Sequence, residues 1–240
     1  MKTKYYLLVV LTLLFACTGE SQKSANAETS DSMRQENKDA TEDYDASKVN
    51  IKDIFLLLPD DAFPIEGISL ANRKLLLNHI GDEKGYDISP TPIEICDVKN
   101  GYLNLTGMQF GWEMCYWNLK DGRKLVAVNS GSETGSDIRI FFYQNDKLTE
   151  DYNYQLGGKQ NYTLSDFVDV SQLSSETRKY AEQQFAKGDY HLYYVLPRKG
   201  TSIKIGMDVN EMMENPEDYD VFYEANKDVI LKWENEKWIK

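Results

Sequence analysis

Cysteine thiols are the side chains of this 240-residue chain best suited to covalent chemistry. The position of Cys17, directly after an N-terminal apolar run, is typical of one particular covalent modification. Cys17 directly follows a small residue, Ala16, at the end of an apolar run over residues 5–15 that two lysines precede. A basic start, a short apolar stretch and a small residue are the parts of a secretory signal peptide. A run of this length is too short to cross a bilayer core, which needs about 20 residues. The sequence therefore predicts that residues 1–16 are a signal peptide.

The residues Leu14-Phe15-Ala16-Cys17 resemble the lipobox of bacterial lipoproteins. The resemblance implies that the Cys17 thiol receives a diacylglyceryl group, that the chain is cut before Cys17 and that its new amine is acylated. It also implies a partner, the lipid bilayer, because each buried acyl CH2 adds about 0.8 kcal/mol and several chains on one residue hold a protein at a membrane surface. Two other interpretations are an ordinary secretory leader with Cys17 there by chance, and a membrane-spanning anchor, which the short apolar run argues against.

Residues 17–48 form a polar, acidic segment with almost no apolar side chains. Such a composition cannot bury enough apolar surface to offset the entropy lost on ordering, so we expect a disordered tether between Cys17 and a folded part over residues 49–240. About 30 flexible residues span on the order of 30 Å, which would hold the folded part clear of lipid headgroups. Within the tether, Asp31-Ser32-Met33 resembles the O-glycosylation acceptor of some Gram-negative anaerobes, which implies a glycan on Ser32.

Charge and motif content exclude several classes of function. Removal of the signal peptide takes away two lysines and no acids, which lowers the formal charge from −12 to −14. A charge of this sign repels nucleic-acid phosphates and anionic headgroups, so we expect no nucleic-acid partner. His79 and His191 lie in no spacing typical of a zinc site or a triad, and we interpret both as structural. The sequence also lacks phosphate-loop and dinucleotide motifs, and we predict no cofactor and no metal.

The folded part alternates short apolar segments with turn residues, a pattern that predicts antiparallel hairpins. We expect a meander of strands at 93–98, 102–106, 113–119, 124–129 and 138–143, with a type I′ turn at Asn100-Gly101. Two further hairpins are expected at 190–205 and 229–240, and helices with N-caps at Ser69, Ser175 and Asn215. The predicted fold class is therefore α+β, with antiparallel meander and hairpins predominating and a few packed helices. Residues 49–240 would form a single domain or two packed halves that divide near residue 160.

The two remaining thiols, Cys96 and Cys115, test this strand order. In a simple meander the strand at 102–106 separates the strands that carry them, and two spacings put their Cα atoms about 10 Å apart. A disulfide needs less than about 7 Å, so we predict separate, mostly buried thiols. If residues 113–119 instead paired beside 93–98, a disulfide would close a loop of about 20 residues and contribute about 3 kcal/mol.

Aromatic side chains are the feature that indicates binding. Trp112, Tyr116 and Trp117 lie close together, Trp233 and Trp238 share a hairpin, and Tyr190, Tyr193 and Tyr194 share a strand. Flat rings stack on sugars and on partner side chains, but aromatic residues are also favoured in strands, where half of the side chains face the core. Each ring therefore has two interpretations, a binding surface and core packing.

The chain resembles envelope lipoproteins of Gram-negative bacteria, and the resemblance is specific over residues 1–17. It implies a lipid anchor in the cell envelope, at the outer membrane. We favour the periplasmic side, since Thr18-Gly19 precedes a single acid, Glu20, where exported surface lipoproteins carry several. We expect a non-catalytic protein that binds or scaffolds an envelope protein or a glycan. The alternative is a glycosidase-like hydrolase, which would need an Asp/Glu pair about 5 to 9.5 Å apart in a cleft.

Overall fold

The computed structural model describes residues 49–64, 67–109, 111–188 and 190–240. The predicted signal peptide, the tether, Cys17 and Ser32 lie outside the described residues. The described residues belong to one compact unit with two antiparallel sheets and a few short helices. This architecture confirms the predicted α+β class with antiparallel strands predominating.

The elements follow one another in an order that separates the two sheets along the chain. The α-helices are α1 (Ile51–Leu57), α2 (Leu70–Leu76), α3 (Leu164–Phe167), α4 (Ser175–Lys187) and α5 (Tyr219–Ala225). The first sheet contains β1 (Ile93–Asp97), β2 (Tyr102–Leu105), β3 (Trp112–Asn118), β4 (Lys124–Ser132), β5 (Gly135–Gln144) and β6 (Lys147–Glu150). The second contains β7 (Leu192–Val195), β8 (Ile203–Met207), β9 (Val229–Glu234) and β10 (Lys237–Ile239). Short 3-10 helices lie at Asp60–Ala62, Glu83–Asp87, Asn210–Met212 and Pro216–Asp218.

The first sheet is a meander in which each strand pairs with the next along the chain. Asn145 and Asp146, with φ angles of 50° and 57°, form a two-residue turn between β5 and β6. The predicted type I′ turn at Asn100-Gly101 was wrong: Asp97 pairs with Tyr102, so the loop spans 98–101, and within it Gly101 carries the positive φ of 67°. A type I′ hairpin has two loop residues, and this longer loop is instead held by the Asp97 carboxylate, which accepts the Asn100 backbone N–H at 3.1 Å.

The two cysteines are separate free thiols, as predicted. Cys96 pairs with Leu103 and Cys115 pairs with Tyr102, so β2 lies between the strands that carry them. Because Tyr102 and Leu103 are consecutive, they and their partners point to opposite faces of the sheet. The thiols therefore lie on opposite faces, a stronger barrier to a disulfide than the strand spacing.

Side-chain alternation divides the first sheet between two cores. One face packs under α1 and α2 through residues such as Trp112, Met114 and Val126. The other face carries Trp117 and Ala127, among others, and packs against the second sheet and against α3, α4 and α5. The described residues thus form a helical layer, a six-stranded sheet and a mixed layer of strands and helices.

The side chain of one arginine on α2 caps the C-terminal end of α1. Arg73, which is 3% exposed, donates through Nη1 to the backbone carbonyls of Phe55, Leu56 and Leu58. Its Nη2 donates to Asp60 Oδ1 at 2.7 Å. The last carbonyls of a helix have no hydrogen-bond donor within the helix. Here the guanidinium of Arg73, on α2, donates to the last carbonyls of α1.

Of the three predicted N-caps, Ser69 is confirmed and the other two need correction. Asn215 precedes the 3-10 helix Pro216–Asp218 without a side-chain capping hydrogen bond, and the N-cap of α5 is Asp218. Ser69 caps α2 as expected.

The spacing of Leu75, Leu76 and Ile80 before Gly81 favours a helix that continues to residue 80, but α2 ends at Leu76 and Leu75 is exposed. The N-cap of α4 is Ser174 rather than Ser175, a shift of one residue, and Gly188 after the helix has the left-handed conformation that glycine favours at a helix end. Within the part of the chain that the structure describes, no helix has the length and apolar character needed to cross a membrane.

Polar side chains join the two sheets along β7. This strand pairs on one side with β8, so its other edge needs partners from outside the second sheet. Ser136 Oγ accepts the Tyr194 N–H at 2.9 Å, and Asn129 Nδ2 donates to the Tyr194 carbonyl at 2.7 Å. Glu113 Oε1 accepts the Leu196 N–H. The second sheet is therefore docked through specific hydrogen bonds as well as through apolar contact.

Candidate functional site

Trp112 and Trp117 are core residues. Trp112 is 1% exposed, stacks on Phe63 with ring centroids 5.3 Å apart and donates through Nε1 to the Ala62 carbonyl. Trp117 is 3% exposed and donates through Nε1 to the Thr201 carbonyl at 2.9 Å. In the described conformation neither indole face is open to a ligand, so burial favours core packing over binding for both.

Trp233, Trp238 and Tyr116 are half-buried. The indoles of Trp233 and Trp238 lie 4.5 Å apart, and Trp238 meets Trp117 edge-on at 5.2 Å. These three rings lie between the first sheet and the β9–β10 hairpin. Tyr116 lies on the opposite face, with the Lys124 ammonium 4.4 Å from its ring centroid. All three half-buried rings thus serve packing within the molecule.

A groove of about 260 Å³ lies between residues 162–165 and α4, and we name it the α3–α4 groove. Its apolar wall consists of Tyr162, Leu164, Val170 and Phe185. Its polar rim consists of Thr163, Ser165, Arg178 and Glu182. The sequence pattern does not predict this groove, because its two sides meet only in the folded chain.

The aromatic wall of the groove is supported from behind by further rings. Phe185 stacks on Tyr190 with centroids 4.5 Å apart and planes 5° from parallel. Tyr162 packs against Phe167 at 5.2 Å, and Phe167 lies 6.5 Å from Phe185. Tyr190, for which the sequence left both binding and core packing open, therefore supports the wall rather than lining the groove. Such a backing fixes ring positions before any ligand arrives.

The segment before α3 is held by a capping box and by the C-terminal residue. Asp166 Oδ2 accepts the Thr163 N–H at 2.7 Å, and Lys240 Nζ lies 2.8 and 2.9 Å from the two carboxylate oxygens of Asp166. Burial disfavours the ionised carboxylate, but the hydrogen bonds from Lys240 and Thr163 prevail and lower the pKa of Asp166. The Lys240 ammonium also lies 5.7 Å from the centroid of the Tyr162 ring. The groove wall is thus tied to the chain terminus.

The rim offers hydrogen-bonding groups of both kinds. Arg178 Nε donates to Glu182 Oε1 at 2.8 Å, one turn along α4, and both side chains are about half exposed. This bond leaves the two Nη groups of Arg178 and one oxygen of Glu182 for other partners. Burial raises the pKa of Tyr162, so its hydroxyl stays protonated, and it makes no hydrogen bond with the described residues. Hydroxyls of Thr163 and Ser165 complete a rim that can both donate and accept.

A second groove, of about 500 Å³, lies along β5 and β6 and includes Phe142, Glu150 and Asp151. Arg139 holds Glu150 with two hydrogen bonds, 2.7 Å from Nε to Oε1 and 2.6 Å from Nη2 to Oε2, and these lower the pKa of Glu150. A general acid in glycoside hydrolysis needs the opposite, a raised pKa. Nor do the described residues contain a cluster of three or more side chains that could hold a metal ion.

Comparisons with known proteins do not add a relative. No protein-family model matches the chain, and neither a curated protein nor a solved structure matches it at a significant level.

Proposed function

We propose that this chain is a lipid-anchored protein of the cell envelope that binds a small glycan in the α3–α4 groove without catalysing a reaction. The observation that carries the proposal is a groove in which two fixed aromatic rings, Tyr162 and Phe185, face a rim of hydrogen-bonding side chains. Sugars present apolar C–H faces to aromatic rings and hydroxyl edges to polar groups, so both parts of the groove have a matching part of the ligand.

The size of the groove limits the ligand. A volume of about 260 Å³ is below the roughly 300–1,000 Å³ of sites for drug-sized molecules, so we expect one or two sugar rings. A hexose has about 12 non-hydrogen atoms, and about 0.3 kcal/mol for each gives a binding free energy of about 3.6 kcal/mol. This corresponds to a dissociation constant in the millimolar range. Many anchored copies on one repeating polymer would bind far more tightly through multivalency.

The groove supports binding in preference to hydrolysis. Among its described lining residues Glu182 is the one carboxylate, and it is paired with Arg178. A glycosidase needs two carboxyl groups on either side of the scissile bond, one of them with a raised pKa. The second groove holds Glu150, whose pKa is lowered. Glu150 therefore does not fit the role of that general acid.

The anchor is part of the same proposal and rests on Leu14-Phe15-Ala16-Cys17. Acylation of Cys17 would hold the folded part at the outer membrane, with the periplasmic side favoured. Replacement of Cys17 by Ser should then release the protein from membranes or leave an uncut precursor. Mass spectrometry tests it directly: an unmodified Cys17 in a mature, membrane-free protein would contradict the anchor.

Calorimetric titration of the full chain with neutral hexoses and N-acetylhexosamines tests the groove. We expect at least one sugar to bind with a millimolar dissociation constant, and Arg178→Ala to weaken it at least fivefold, because the rim would lose its principal donor. The matched control is Lys179→Ala, since Lys179 is the next residue of α4, is exposed and does not line the groove. Equal affinity in the two variants, or no heat of binding from any sugar, would refute the proposal.

A further inference from the structure

The helix α5 carries an aromatic surface that nothing in the described structure covers. Phe222 and Ala225 are buried and attach α5 to the core. Tyr219 and Tyr223 lie one turn apart on an exposed side of α5, 48% and 69% exposed, with ring centroids 6.1 Å apart and planes 20° from parallel. Val221 is also exposed but lies on a different side of α5, because residues two apart along a helix do not face each other. Large apolar side chains grouped in this way on a surface mark interaction sites more often than isolated ones do.

The stretch of chain that contains this surface is strongly acidic. Residues 208–228 contain one basic side chain, Lys227, and eight acidic ones: Asp208, Glu211, Glu214, Glu217, Asp218, Asp220, Glu224 and Asp228. Asp228 is paired with Lys204 at 3.1 Å, and Asp208 accepts the Asn210 N–H. The six acids between them, from Glu211 to Glu224, form no ion pair with any described residue. Their charge is therefore uncompensated within the described part of the chain.

From the tyrosine pair and the charge around it we infer that α5 is a docking surface for an arginine-rich segment of a partner protein. A guanidinium stacks on the face of a tyrosine ring and pairs with carboxylates through two parallel hydrogen bonds, and this surface offers both within one helix. Lysine makes neither the planar stack nor the two-pronged pair, so arginine is preferred over lysine at equal charge. The inference is independent of the glycan proposal, since none of the groove residues lies in 208–228.

The test uses the full chain and a fluorescein-labelled decapeptide of alternating arginine and serine, with a lysine–serine peptide of the same charge beside it. Fluorescence anisotropy at about 50 mM ionic strength measures both dissociation constants. We expect the arginine peptide to bind at least threefold more tightly than the lysine peptide. The affinity should fall as salt is raised, because exposed charges are screened beyond about 10 Å at 0.1 M ionic strength.

Two pairs of variants separate specific docking from general attraction to an acidic protein. The double variant Tyr219→Ser with Tyr223→Ser should bind the arginine peptide about tenfold more weakly, as expected for two exposed cation–π contacts. Its control, Tyr86→Ser with Tyr152→Ser, removes two exposed tyrosines elsewhere and should bind as the parent does. Asp220→Asn with Glu224→Gln should weaken binding more than Glu83→Gln with Asp87→Asn, which removes the same charge from another exposed site.

Thermal melting of every variant shows whether it is folded, and these surface positions should leave the midpoint within about 2 °C of the parent. Equal affinity of the tyrosine variant and its control would overturn the inference. So would equal affinity for the arginine and lysine peptides, since both results mean attraction to net charge alone. Either outcome leaves the sugar titrations unchanged, so the two proposals fail separately.

Discussion

The carboxylate of Glu113 accepts the backbone N–H of Leu196 at 2.7 Å, although 83 residues separate the two along the chain. The same carboxylate accepts Asn129 Nδ2 at 3.1 Å through Oε1 and the Tyr102 hydroxyl at 2.8 Å through Oε2. Three donors from three parts of the fold thus converge on one side chain. Because an unpaired buried polar group costs about 1–3 kcal/mol, this contact selects how the second sheet docks on the first.

Replacement of Glu113 by Ala should lower the free energy of unfolding by about 2–4 kcal/mol, because it leaves Leu196 N–H and the Tyr102 hydroxyl without their acceptor. Urea unfolding followed by tryptophan fluorescence measures the change. The control is Glu133→Ala, at an exposed site in the β4–β5 turn, which should stay within about 0.5 kcal/mol of the parent. A similar loss of stability in both variants would mean that the hydrogen bonds of Glu113 do not hold the second sheet against the first.

Replacement of Arg73 by Met should destabilise the protein by about 3 kcal/mol, because three carbonyls at the end of α1 lose their donor. Arg73→Lys should recover part of this loss, since one ammonium cannot reach Asp60 and the three carbonyls together. Urea unfolding of Arg123→Met is the comparison, because that residue pairs with Asp121 on the surface. Exposed pairs contribute about 0–1 kcal/mol, so a comparable loss in Arg123→Met would contradict the capping role.

The two cysteines should differ in their reaction with alkylating reagents. Burial raises the pKa of Cys96 to about 11, so the native rate at Cys96 should increase about tenfold for each pH unit from 7 to 10 as the thiolate fraction rises. Cys115 is buried, and burial raises its pKa as well, so it should react only when the chain unfolds. Mass spectrometry of time points distinguishes the sites. Finding a disulfide, or faster labelling of Cys115, would contradict the observed strand order.

Replacement of Lys240 by Met should make the protein less stable at neutral pH by up to about 1 kcal/mol. Lys240 and Thr163 lower the pKa of Asp166 in the folded protein. The ionised carboxylate therefore stabilises the fold fully at pH values above its unfolded-state pKa. This stabilisation is lost as the pH falls through the folded-state pKa. The difference between parent and variant should therefore be present at pH 7 and shrink towards pH 2. Unfolding curves at both pH values test this, and a difference independent of pH would exclude the ion pair as its cause.

Sequence patterns predicted the first sheet well, because period-two alternation and turn residues are local signals. The strands from β1 to β5 were expected within about three residues of their observed bounds at each end. The turn at Asn100-Gly101 was misassigned since an Asn-Gly pair does not reveal whether the loop has two residues or four. The asparagine side chain in fact bonds Asp97 within the longer loop.

The α3–α4 groove could not be predicted, because its parts meet only through tertiary packing. Tyr162 and Phe185 are distant in sequence, and neither belongs to a recognisable motif. Strand alternation likewise places Trp112 and Trp117 on opposite faces of the first sheet but does not say what covers each face. Both faces turn out to be covered, which is why the two tryptophans pack in cores instead of forming a binding surface.

The most direct test of the glycan proposal is a map of amide chemical shifts in the ¹⁵N-labelled full chain, titrated with the sugar that gives the largest heat of binding. The account predicts shifts confined to residues 162–165 and to the stretch of α4 from Arg178 to Phe185, saturating in the millimolar range. Shifts located elsewhere, or none in the groove at saturating sugar, would contradict it.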